Sequence, residues 1–412
     1  MCHIGSFGPQ LTAYGRNFKL YGYLWGEVKN PLYNLSAMTF GGMEHTQEGL
    51  RQGVELSGTM SRFSSNNNWT PGQVSLFYGG RITENIGMLA QATYNDPADQ
   101  FAWDNTDIRY VNGTEISGKN LVYGITVNNN PSVQDVWQTT PAWGFPYVSS
   151  SFLQQPSASP FINGLAQQVA GVGAYGLWDD WLYAELTGYT SIASKTQQIL
   201  GIAGADQNDH LSSIAPYWRV AIQHDFGHNY VEFGTFGMYA DRFPGNVRSF
   251  GHDNITDYAI DGTYQYTSTD GKHAVSLYAS ALREHASLAA TFANSGSANP
   301  SDSLSDVKAN VSYYYDNTYG ITLGTFNLTG DADATLYPNP INNKPGSSGW
   351  IAQADYTPFG RESSWGYPYF NVRFFAQYIA YTKFNGLSSN YDGTGRNASD
   401  NNTVFFGTWF AF

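Results

Sequence analysis

The feature that most constrains this chain is a hydrophobic period of two. In Val54-Glu55-Leu56-Ser57-Gly58-Thr59-Met60-Ser61 the even positions are apolar or small and the odd ones polar. In Val307-Lys308-Ala309-Asn310-Val311-Ser312-Tyr313 the odd set is the apolar one. Trp218, Val220 and Ile222 alternate with Arg219, Ala221 and Gln223, and Phe370, Val372, Phe374, Ala376 and Tyr378 alternate with Asn371, Arg373, Phe375 and Gln377. Alternation of this kind sets one face of an extended strand against an apolar medium and the other against polar surroundings. It predicts strands near 37–47, 52–63, 72–82, 85–95, 102–111, 117–127, 167–176, 181–191, 215–226, 229–241, 255–267, 272–283, 305–316, 318–328, 348–358, 365–382 and 403–412.

Composition says what the apolar medium is. Only 13% of the 412 residues are charged, against about 25% in an ordinary soluble domain. Aromatic residues reach 16%, yet no run of 18 or more apolar residues occurs, which excludes a bundle of transmembrane helices. Low charge, many aromatics and short alternating segments together predict an all-β fold, a transmembrane antiparallel β-barrel. Single-chain bacterial barrels take even strand numbers, so about 16 strands are expected and one of the seventeen segments is not a strand. A soluble propeller would show a blade-length repeat, and none is present. The net charge of -13 with 20 Lys and Arg argues against nucleic acid as a partner.

Connections alternate in length, as barrel turns and outer loops do. Ile82-Thr83-Glu84-Asn85 and Asp316-Asn317-Thr318 are short, whereas 128–166, 192–213, 284–304, 329–347 and 384–402 are long and rich in Asn, Ser, Gly, Pro and Asp. The chain closes on Val404, Phe406, Phe410 and Phe412 at alternate positions, a final strand with an aromatic edge that must pair with the first strand. This ending resembles the C-terminal assembly signal of bacterial outer-membrane proteins, and the expected location is the bacterial outer membrane, among its lipids and lipopolysaccharide. A barrel needs export, so the expectation is that a leader has been removed or that the true start lies upstream.

A single cysteine, Cys2, excludes an internal disulfide and a cysteine-built zinc or iron–sulfur site. Cys2-His3 is the second half of C-x-x-C-H, the c-type haem attachment sequence, whose first Cys would precede residue 1. It is followed by Phe7-Gly8-Pro9-Gln10-Leu11-Thr12-Ala13-Tyr14-Gly15-Arg16-Asn17-Phe18-Lys19-Leu20-Tyr21-Gly22-Tyr23. This stretch resembles the haem-proximal segment of the fused monohaem cytochrome c–porin family, C-H-x(3)-F-P-x-L-x-x-F-G-x-x-F-K-x-x-G-Y. The match falls at Cys2, His3, Pro9, Leu11, Gly15, Phe18, Lys19, Gly22 and Tyr23, with Tyr14 in place of a Phe.

The resemblance implies two parts: a haem attachment or plug segment over 1–34 and a barrel over 35–412. It implies one haem c, bound through Cys2 with His3 as proximal iron ligand, and electron transfer across the outer membrane, with extracellular iron oxidation as the family role. Such a chain is an electron-transfer protein rather than a classical enzyme, and a single haem calls for a periplasmic electron-carrier cytochrome as partner. The sixth ligand is ordinarily Met or His. Met38, Met43 and His45 are the candidates closest in sequence, with Met60 more distant. The barrel features alone support a different reading, a passive porin or solute channel without haem, for which the acidic surplus would favour cations. Asp331 with Asp333, or Asp392 with Asp400, are candidates for Ca²⁺ in outer loops, and the bland reading is solvated loop charge. His224, Asp225 and His228 cluster near a strand end, where an interfacial role outweighs a metal site. A homotrimer is expected by analogy with porin-like barrels.

Overall fold

The computed structural model describes residues 2–25, 34–53, 55–96, 98–339 and 341–412. Its strands follow the alternating segments: β1 (Leu35–Thr46), β2 (Trp69–Arg81), β3 (Ile86–Asn95), β4 (Gln100–Ile116), β5 (Lys119–Asn128) and β6 (Val169–Trp178). β7 (Leu182–Ser191) is followed by β8 (His210–Leu211), β9 (Ala215–Asp225), β10 (Asn229–Phe243), β11 (Asp253–Thr267) and β12 (His273–Ser287). The last are β13 (Ser301–Tyr315), β14 (Tyr319–Gly330), β15 (Ser347–Tyr356), β16 (Asn371–Lys383) and β17 (Thr403–Ala411). β8 is a two-residue piece paired with the end of β10. The other sixteen form an antiparallel ring in which each pairs with its neighbours in chain order.

Closure comes from β17 lying against β1, from Met38↔Ala411 to Thr46↔Thr403. Phe412 extends the seam: its N–H donates to the Ala37 carbonyl at 2.9 Å and its carbonyl accepts from Ala37 at 3.1 Å. A closed ring has no free edge, so every strand's ladder is satisfied within the membrane.

The period of two separates inside from outside. On β11, Asp253, Asp257, Asp261, Thr263 and Gln265 are buried in the lumen, whereas Tyr258, Ile260 and Tyr264 are exposed on the outer wall. Val172, Leu186, Ile222, Phe233, Leu277, Val311 and Leu323 continue that outer surface. Aromatic rings border the apolar band. Tyr319, Tyr356 and Phe374 stack in a row at the short-turn rim, with centroids 5.4 and 6.3 Å apart, and Trp350 packs on Tyr378 at 5.3 Å nearer the other rim. A closed antiparallel barrel with an apolar outer band between aromatic rims and a polar interior is an outer-membrane-type barrel. Among the described residues, no helix is long and apolar enough to cross a membrane.

The expected short turns 82–85 and 316–318 join β2 to β3 and β13 to β14. The segment expected to be a spurious strand proves to be 52–63. It lies in the loop after β1, where Gly53 and Gly58 take φ of +77° and +57° and Gly58–Arg62 forms a 3₁₀ turn. Leu50 and Leu56 pack there with Phe152, so the alternation serves a small loop core, not a ladder. Val54 lies outside the described residues. β16 starts at Asn371 instead of 365, because the preceding residues curl so that Phe359, Trp365 and Phe370 pack on one another.

Candidate functional site

Among the described residues, two segments that are not wall strands enter the lumen. The first is the N-terminal segment, at the short-turn end. Thr12 N–H donates to the Cys2 carbonyl at 2.9 Å and Ile4 N–H to the Gln10 carbonyl at 2.8 Å, closing residues 2–12 into a turn. Thr12 then caps α1 (Ala13–Leu20), its hydroxyl accepting from the Gly15 amide at 3.3 Å. Gly15 is required by this return: a Cβ there would lie 2.2 Å from the Cys2 carbonyl oxygen. Gly22 has φ +66°, and its Cβ would meet Val111 at 2.5 Å, so the family-like glycines have packing reasons of their own.

The wall grips this segment on opposite sides. Arg373 of β16 donates to the Gly5 carbonyl at 2.9 Å. Gln10 bridges Ser276 (3.1 Å) and Ser312 (3.2 Å), and Arg16 donates to Gln265 while lying 3.5 Å over the Tyr230 ring. Across the lumen, Arg109 donates to the Lys19 carbonyl at 2.9 Å, Tyr175 to the Leu20 carbonyl at 2.8 Å, and Tyr23 to Asp107 at 2.7 Å. Lys19 is the exception to this pairing. Its ammonium is buried without a hydrogen-bond partner among the described residues, 4.4 Å over the Trp143 ring. Burial, with the nearby Arg109 charge, pushes its pKa down to about 7.

The second segment is the 40-residue connection between β5 and β6, expected to be an outer loop. Its inner part instead folds inward, and Val133, Gln134, Asp135, Val136 and Trp137 are almost wholly buried. Asp135 organises it by accepting from the amides of Trp137 (3.0 Å), Thr139 (2.9 Å) and Thr140 (3.1 Å). Although burial opposes ionisation, Arg219, Lys19 and these amides hold the Asp135 carboxyl below its ordinary value. Arg219 of β9 ties the loop to the wall. It reaches Asp135 at 3.4 Å, Glu232 at 3.1 Å and Asp261 at 3.1 and 2.8 Å, with Trp137 stacked at 5.0 Å. Further along, the Phe161 and Ile162 amides donate to Glu284 (2.5 Å) and Asp257 (3.1 Å).

Between this loop and the wall from β12 to β16 lies a cavity of about 440 Å³, running from mid-wall toward the long-loop ends of the strands. Trp143, Phe145, Phe326 and Tyr381 form much of its lining, and none of residues 2–25 reaches it. Connection length cannot tell an inward loop from an outward one. The available signal was Val133, Val136 and Trp137 in a connection otherwise rich in Asn, Ser and Pro.

The residues singled out from sequence are scattered. Cys2 is partly buried and unpaired, and burial raises its thiol pKa. His3 bridges to Leu11 and is exposed. Met38 faces inward beside Phe7, at the same end, and its sulfur accepts from the Trp409 indole at 3.2 Å. Met43 is 46% exposed on the outer wall, and His45, at the long-loop end of β1, pairs with Asn67 at 2.8 Å. Neither is brought to His3. Met60 sits in the outer-loop core.

Asp333 is occupied by the amides of Ala298, Asn299, Thr335 and Leu336, Asp392 by Thr394 and Arg51, and Asp400 by the Asn397 amide. His224 packs on Phe226, whereas His228 contacts the Thr267 carbonyl at 3.0 Å. Among the described residues, no group of three His, Cys, Asp or Glu side chains could hold a metal.

No protein-family model and no curated protein matches the chain. Solved structures do. The outer membrane channel DcaP of Acinetobacter baumannii aligns over 92% of this chain and 96% of its own, at 12% identity and a TM-score of 0.48. Salmonella typhi OmpF, in complex with daunomycin, aligns over 92% and 97%, at 11% identity and 0.48. The trimer form of OmpT from Vibrio cholerae aligns over 92% and 98%, at 9% identity and 0.45.

Proposed function

We propose that the protein is an outer-membrane solute channel whose lumen is narrowed by residues 2–25 and the loop 129–168. The observation that supports this most is the cavity of about 440 Å³ between the inward loop and the wall from β12 to β16. A polar interior behind an apolar outer wall suits the passage of water-soluble molecules. The inward carboxylates of β11 carry part of the acidic surplus, and Arg219 and a loop amide engage Asp261 and Asp257. The assembly we propose is a homotrimer, to be checked by the mass of the detergent-extracted complex. Proteoliposome swelling tests the channel: swelling in small neutral solutes is expected, and liposomes that stay osmotically tight would refute it.

A second reading is an electron conduit with one haem c, and the location of Cys2-His3 favours it. The donors fit in part. Cys2 would offer one thioether, His3 the adjacent imidazole, and Met38 an inward sulfur at the same end. When bound, the haem would supply one-electron transfer. The chain's own contribution is to hold His3 through the Leu11 bridge and to keep Met38 on Trp409. This reading adds a periplasmic cytochrome as partner. The absence of a c-type haem absorption band in protein purified from its native host would refute it. Lipopolysaccharide and outer-loop Ca²⁺ remain proposals, tested by co-purified lipid and by calcium titration.

A further inference from the structure

We infer that the cavity beside β12–β16 binds a monocarboxylate with an apolar, ring-sized body. The inference rests on the channel reading only for how such a solute arrives. The volume of about 440 Å³ falls within the ~300–1,000 Å³ range of small-molecule sites. Trp143, Phe145, Phe326 and Tyr381 offer ring faces and edges, which favour an apolar body over a hydrated ion.

Of the described residues lining the cavity, two are charged: Asp306 and Lys308, at successive inward positions of β13. They pair at 2.7 Å but are unequally accessible, the Lys308 side chain being 44% exposed and that of Asp306 11%. An entering solute therefore meets the ammonium first. An ammonium has three N–H donors, and Asp306 engages it from one side, so donors remain for a second carboxylate. Asp306 offsets much of the Lys308 charge, so the preference for an anion over a cation comes from the greater accessibility of the ammonium, and a neutral polyol would forgo that contact. A dianion would leave its second charge among aromatic rings.

The test is isothermal titration of the full-length barrel in nanodiscs with 3-phenylpropionate, its neutral twin 3-phenylpropanol, and acetate. Saturable binding of 3-phenylpropionate is expected, with the alcohol and acetate at least about tenfold weaker. Lys308→Met should weaken binding about 10- to 100-fold, Lys308→Arg should retain most of it, and Asp306→Asn should tighten it by freeing the ammonium. Each variant is first shown to be folded by its strand circular dichroism. Equal binding of acid and alcohol, an unchanged Lys308→Met, or no binding to the unaltered protein would overturn the inference. Single-channel recording of the same sample separates the two readings. Conductance without binding overturns the site and leaves the channel, whereas binding without conductance leaves the site and overturns the channel.

Discussion

Replacing Arg219 by Met should release the inward loop without opening the barrel. The guanidinium is fully buried and lies among three carboxylates, Asp135, Glu232 and Asp261, at 3.4, 3.1 and 2.8 Å. It also donates to the Thr139 hydroxyl at 3.2 Å, so it joins loop and wall directly. Removing one partner of a buried charge cluster costs about 3–5 kcal/mol, because the remaining charges are left uncompensated. The wall here is held by the continuous β9–β10 and β10–β11 ladders and does not part easily. The inexpensive relief is for residues 132–140 to leave the lumen and let water reach the carboxylates. Amide hydrogen exchange reads this directly. Since about 1.4 kcal/mol is a factor of ten, protection at Trp137, Thr139 and Thr140 should fall by between about 10²-fold and a few thousand-fold, with the β9 and β10 amides unchanged. Arg219→Lys keeps a charge but loses the two-pronged contact with Asp261 and should fall between the two. Loop protection within threefold of the unaltered protein in Arg219→Met would refute the reasoning.

Three further outcomes are expected. Lys19 has a folded pKa of about 7, below the ordinary 10.5, so its penalty is absent above about pH 10.5, grows as pH falls, and is complete below about 7. Lys19→Met should therefore steady α1 by on the order of 4 kcal/mol at neutral pH and abolish the pH dependence of its amide protection between 7 and 10. Asp135 has the opposite sign: its folded pKa is depressed, so the stability it gives is complete above the ordinary 3.8 and is lost as pH falls through the lower folded value. Loop protection should accordingly persist to about pH 4 and collapse below it, and Asp135→Asn should remove that acid step. Arg396 is buried and joins the loops after β1 and β16, reaching Glu55 at 3.3 Å and the Glu48 and Gly49 carbonyls at 2.7 and 3.1 Å. Arg396→Ala should weaken that junction by about 3 kcal/mol, seen as faster proteolysis within 47–68 with unchanged barrel melting.

The barrel was legible because its governing signal is local. A lipid-facing wall and a filled lumen impose alternation on every strand, and Tyr258, Ile260 and Tyr264 against Asp257, Asp261 and Gln265 show it within one strand. The same rule misled at 52–63, where alternating residues serve a loop core and two left-handed glycines prevent an extended run. The lumen was much less legible. What holds the inward loop is Arg219 meeting Asp135 and Asp261, residues 84 and 42 positions away, and no periodicity announces such a meeting. Among the candidate ligands, parity separates Met38 from Met43 and His45, but only the register of β1 against β17 shows which face is inside. The Lys308–Asp306 pair was visible as an alternation and gained meaning only from the cavity beside it.

The central claim is that a passage survives beside the loop and the N-terminal segment. Planar-bilayer recording of the purified full-length protein tests it most directly. The account predicts discrete, ohmic single-channel steps that grow larger in Arg219→Met, where the loop is released from the wall. A barrel that inserts but conducts nothing, in both the unaltered protein and Arg219→Met, would contradict it.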